Sequence, residues 1–147
     1  MTEARPFERA LAAIALAPLV VLLARVLLTA DFWTSVWLKT TEFASGVAAV
    51  RQLTELEPAW LFAVLTILTQ AVGTVLVVTT RRWAWLGAGM LGAFTLIAAV
   101  LGHAPWSAPE GQETETLHSF MEHLGLIGGF VLVGYWSLRP VRDARAL

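Results

Sequence analysis

Four apolar stretches, each long enough to cross a bilayer, run over residues 11–38, 59–78, 83–102 and 120–138 and take up most of the chain. A spanning helix needs about 20 predominantly apolar residues. Inside lipid every backbone N–H and C=O must be satisfied within the protein, which leaves the α-helix as the spanning form for stretches of this length. The expected fold class is all-α: a polytopic membrane four-helix bundle, one domain over 1–147, with spans at about 18–38, 59–78, 83–102 and 120–138. The chain is 57% hydrophobic and only 14% charged, where soluble domains carry about 25% charged residues. Four spans leave no room for a soluble domain.

The middle spans are separated only by Thr79, Thr80, Arg81 and Arg82, a tight turn at one membrane face. Arg5, Arg9, Arg81, Arg82, Arg139, Arg142 and Arg145 fall on that face, and Lys39 and Arg51 on the other. The positive-inside rule then places both termini and the Arg81–Arg82 turn in the cytoplasm. The chain is expected in a bacterial cytoplasmic membrane, with lipid and partner membrane or redox subunits around it and no nucleic-acid partner. The first apolar stretch is too long for one untilted crossing at about 1.5 Å per residue. Pro18 divides it in one reading, giving an interfacial segment over 6–17 and a crossing helix over 18–38. In the rival reading the span ends at Ala30 and Asp31 caps a second helix. The loop over 41–57 carries Phe43, Val47 and Val50 at helical spacing, which predicts a short amphipathic helix on the outer membrane surface.

Polar residues inside such segments need a reason. Arg25 either snorkels toward headgroups or anchors an anion. Asp31 needs a partner from another helix, or serves as the cap just described. Lys39 closes the first span, and Gln70 stands in the middle of the second, with Thr66, Thr69 and Thr74 nearby. His103 ends the third span; His118, Glu122 and His123 begin the fourth. Antiparallel packing brings these four to one membrane side. They read as interface groups facing water, as a divalent-metal site built from His103, His118 and Glu122, or as a quinone or proton site. The chain has no cysteine. That removes covalent c-type haem, cysteine-ligated metals and disulfide exchange.

The order of these features resembles the DoxX family of membrane proteins. The matching pieces are Leu23-Ala24-Arg25-Val26-Leu27-Leu28 leading into Ser35 and Lys39, the loop closed by Pro58, Gln70-Ala71-Val72-Gly73 before Arg81 and Arg82, His103-Ala104-Pro105-Trp106, and Phe120-Met121-Glu122-His123-Leu124-Gly125-Leu126-Ile127-Gly128-Gly129. The likeness runs from about Leu22 to Trp136. Four positions depart from the family pattern: Gln70 replaces a common glutamate, Asp31 replaces a small or apolar residue, and Val36 and Leu38 replace glycines before the lysine. The resemblance implies a four-helix membrane bundle and quinone-linked sulfur oxidation, as in the small subunit of a thiosulfate:quinone oxidoreductase, or membrane complexes that handle thiol and oxidative stress. The expected role is a small integral membrane subunit or scaffold of a larger redox-associated complex. It is not catalytic alone, because the chain supplies no electron donor. The alternative is a quinone-binding subunit, with Lys39, Gln70, His103 and His123 orienting the headgroup and Glu122 or a histidine passing protons. A small-molecule transporter is the third reading.

Overall fold

The computed structural model describes residues 6–15 and 17–143. Of the arginines assigned to one face, Arg5 and Arg145 lie outside the described residues. Seven α-helices follow in order: α1 (Pro6–Ala15), α2 (Pro18–Leu28), α3 (Ala30–Thr41), α4 (Phe43–Thr54), α5 (Ala59–Thr79), α6 (Ala84–Gly102) and α7 (Glu113–Asp143), with a 3-10 turn at Pro105–Ser107 between the last two. There is no strand among the described residues. The fold is an all-α membrane bundle, and large apolar side chains such as Leu27, Leu68, Ile97, Val131 and Leu132 cover its outside.

Among the described residues, three helices are long and apolar enough to cross a membrane: α5, α6 and α7. The pair α2 and α3 is long and apolar enough only when taken together, as a broken span or a re-entrant loop. Pro18 opens α2, where a missing N–H costs nothing. The helix then bends by 47° between α2 and α3. The break falls at Thr29, whose fully buried hydroxyl donates back to the Arg25 carbonyl at 2.8 Å. Such back-bonding competes with the regular ladder and bends helices. The expected continuous helix over 18–38 is therefore two pieces, and α3 extends to Thr41. With 12 residues, α3 is about 18 Å long, short of the roughly 30 Å hydrocarbon core.

The core lies where α3, α5, α6 and α7 meet. Phe32 packs edge-on against Phe94 at 6.3 Å and against Phe130 at 5.6 Å between ring centres. Val77, Ala88 and Leu91 complete the cluster. Helices α5 and α6 cross at Gly73 and Gly87. A Cβ on Gly87 would stand 2.5 Å from the Gly73 carbonyl oxygen. Small residues at such crossings let membrane helices come close enough for backbone-to-backbone contact. The loop helix α4 forms as its spacing predicts, but it folds in against α5 and α3, with Gly46 buried against the Lys39 stem. Helix α7 begins earlier than the apolar stretch at 120. Glu113 and Glu115 occupy its first turn, where the helix dipole favours carboxylates.

Arg51 at the end of α4 holds Glu57 across the connection to α5, Nε to Oε1 at 2.5 Å. The other Glu57 oxygen accepts the Ala59 backbone N–H at 2.9 Å. The Arg51 bond first, then the Ala59 bond, hold the Glu57 carboxyl below the usual carboxylate range. A lowered folded-state pKa stabilises above the ordinary value of about 4.3 and loses that effect as pH falls through the folded value. Protection of the Ala59 amide against hydrogen exchange, corrected for intrinsic rates, should therefore fall as pH drops below about 4. In Glu57→Gln the protection should be lower and nearly flat across the same range. An unchanged pH profile in that variant would show that another group governs the joint.

Candidate functional site within the bundle

One end of the bundle collects arginines. Arg25 donates from Nη1 to the carbonyls of Val77 at 3.2 Å and Thr80 at 3.1 Å, so it caps the C-terminus of α5. A cation is favoured there by the unpaired carbonyls and the helix dipole. Arg82 lies over Trp83 and Arg139 over Trp136 at 5.6 and 5.1 Å. The Arg25 contacts make it a structural clamp, and its donors are directed at backbone. Asp31 follows closely in the first turn of α3 and is exposed. Asp31 stands between the Arg25 clamp on the end of α5 and the Ser35 contact with Gln70. A second helix does start at this point, with Thr29 in the cap position and without a side-chain cap bond.

From there α3 runs alongside α5 and brings a polar chain into the interior. The Lys39 ammonium donates to Ser35 Oγ one turn back. Ser35 in turn donates to Gln70 Oε1 at 3.2 Å. The direction of this relay is set by chemistry. An ammonium has only donors, so it takes the serine lone pair, and the serine proton goes to the amide oxygen. Gln70, near the midpoint of α5, is 2% exposed. Its amide nitrogen has no hydrogen-bond partner among the described residues. Thr74, one turn along α5 on the same face, is 1% exposed, and its hydroxyl has no partner either. Lys39 is half-buried under Gly46, with no carboxylate in ion-pair contact among the described residues. It lies in the last turn of α3, where the dipole favours a cation.

Lys39 and the Gln70 amide hold unused donors, and the buried Thr74 hydroxyl has no partner in either direction. Unpartnered polar hydrogen in an apolar interior costs about 1–3 kcal/mol per group. The unused donors can receive a ligand that brings acceptor oxygens. The sequence named Lys39 and Gln70 separately. Ser35, which joins them, was legible from its four-residue spacing to Lys39, and Thr74 from its four-residue spacing to Gln70.

The histidines form a second group at the opposite end from the arginines. His103 caps α6, and its ring centre lies 4.9 Å from that of His123 on α7. The His123 Nδ1 donates to the Ser119 carbonyl at 2.6 Å. Beside His103 is a cleft of about 400 Å³ lined by Ser107, Gln112, Glu115, Thr116 and Ser119. His118 and Glu122 share a different face of α7 and are exposed. No group of three histidine, aspartate or glutamate side chains is gathered for a metal ion among the described residues. Thus His103 and His123 come together, while His118 and Glu122 stand apart.

A family model described as DoxX matches residues 20–104, more than half of the chain. It takes in α2 to α6 and stops before α7, so the likeness over 120–129 lies outside it. No curated protein and no solved structure matches the chain.

Proposed function

The chain belongs to the DoxX family, and from that premise we propose that it is a small integral membrane subunit of a larger redox-associated complex, holding a quinone headgroup at the Lys39–Ser35–Gln70 relay. The carrying observation is the set of unused donors along α3 and α5: the half-buried Lys39 ammonium, the Gln70 amide and the unpartnered Thr74 hydroxyl. A quinone carbonyl offers acceptor oxygens to such donors. Bound there, a quinone supplies two-electron carrier chemistry that this cysteine-free chain does not contain. Lys39 would fix one carbonyl by a charge-assisted bond, and Gln70 would orient the ring. Gln70 carries no titratable proton, so its part is positioning. The electron donor belongs to a partner subunit, on the cytoplasmic or the outer side of a bacterial membrane.

A scaffold role is the second reading, favoured by a different observation. Gly125, Gly128 and Gly134 on α7 and Gly89 on α6 have nothing within 4 Å of where a Cβ would stand. Small open positions of this kind are where partner membrane helices pack.

The test is to isolate the chain with its native partners in mild detergent and to extract and quantify quinone. Wild type should retain it. Lys39→Met should lower retention about tenfold to a hundredfold, the equivalent of a lost charge-assisted hydrogen bond of about 1.5–3 kcal/mol, with the complex still assembled. An assembled wild-type complex that never contains quinone would remove the headgroup role and leave the scaffold.

A further inference from the structure

The histidine end carries an arrangement that the relay does not use. We propose that His103 and His123 form a two-imidazole site for a late first-row divalent metal ion such as Zn²⁺ or Cu²⁺, clipping α6 to α7. The separation of the rings is the first support. With a metal–nitrogen bond of about 2.1 Å and the ring centre roughly 1.1 Å behind the nitrogen, two imidazoles on one ion stand about 4.5–5.2 Å apart, between right-angle and tetrahedral geometry. The observed separation is 4.9 Å, with the rings tilted by 40°.

The second support is the orientation of His123. Its Nδ1 is held on the Ser119 carbonyl at 2.6 Å. A carbonyl only accepts, so Nδ1 carries the proton and Nε2 is left with its lone pair. That backbone bond is the usual outer-shell device by which proteins fix a metal-binding imidazole. The His103 ring makes no hydrogen bond among the described residues, so both of its nitrogens are uncommitted. The assignment requires one of them to face His123 Nε2. Third, Glu115 lines the cleft beside His103 and adds a carboxylate to the approach. Imidazole nitrogen selects zinc, copper or nickel over magnesium or calcium. Water fills the remaining positions, because no third protein ligand is gathered here. The site is therefore open and exchangeable.

The experiment uses the untagged full chain in detergent, titrated with Zn²⁺ by calorimetry and with Cu²⁺ by electron paramagnetic resonance. Wild type should take up one ion per chain, and bound Cu²⁺ should show coupling to two imidazole nitrogens. His103→Gln and His123→Gln should each weaken Zn²⁺ binding at least about tenfold and reduce the copper coupling to one nitrogen. His118→Gln should bind as wild type does. The thermal midpoint should rise with Zn²⁺ in wild type and His118→Gln only, since an ion bound to the folded state alone stabilises it. Binding that survives both His103→Gln and His123→Gln, or that is lost in His118→Gln, would overturn the proposal, as would a wild type that takes up no ion.

Discussion

Gly87→Ala should destabilise the bundle by about 2 kcal/mol or more, although alanine is the better helix former. In an uncrowded helix the exchange gains up to about 1 kcal/mol. Here the new methyl would stand 2.5 Å from the Gly73 carbonyl oxygen, 2.8 Å from Leu76 Cβ and 3.1 Å from the Val77 nitrogen. None of these is the free end of a flexible side chain, so α5 and α6 must move apart as bodies. Overpacking of this kind costs about 1–3 kcal/mol, and more where backbone is the obstacle. Separation of the pair would also disturb Val77, whose carbonyl receives Arg25. The comparison variant is Gly125→Ala, where nothing lies within 4 Å. Unfolding followed in mild detergent should show a lowered midpoint for Gly87→Ala and an equal or raised one for Gly125→Ala. Equal midpoints for the two would mean that the crossing is looser than 2.5 Å implies.

Phe32→Ala should cost about 2 kcal/mol, less than the same change in a water-soluble core. In water, Phe-to-Ala losses of about 3–5 kcal/mol combine a transfer term with a cavity term. A membrane bundle unfolds its side chains into lipid, which is as apolar as the core, so the transfer term largely vanishes. What remains is the packing of a ring that is 2% exposed and touches helices α6 and α7 at once. Each aromatic pair contributes about 0.5–1.5 kcal/mol. Phe32→Leu should recover roughly half of the loss. A reversible unfolding measurement in which Phe32→Ala matches wild type would show that α3 is held by its polar relay alone.

The apolar runs alone located α5 and α6 to within about two residues, because a spanning segment has one strong periodic-free signal and abrupt polar ends. The Arg81–Arg82 turn supplied the shared boundary. Pro18 was legible as a divider, since proline opens helices and does not continue them. The break at Thr29 was met only by the rival reading, which ended the span at Ala30 and began a second helix at Asp31. A single threonine in an apolar run is common, and its bend depends on which carbonyls its hydroxyl takes in the folded chain. The early start of α7 was missed for a related reason: the turn that precedes the membrane is polar, and hydropathy ignores it. Within the candidate site, Lys39 and Gln70 stood out as polar residues in the wrong solvent. Their meeting through Ser35 depends on the lateral placement of α3 against α5, which no local pattern encodes. His103 and His123 were grouped with His118 and Glu122 by depth, and rotation about the α7 axis then separated them.

The α5 cap comes from a side chain 52 residues upstream of Val77. During synthesis, α2 and α3 leave the ribosome long before α5 exists. Until then Arg25 has no carbonyls to hold, Ser35 has no amide to meet, and a 12-residue α3 is too short to stay across the bilayer unaided. The contacts that tie α2 and α3 into the bundle, from Arg25 and from Ser35, form only once the second apolar stretch has been made.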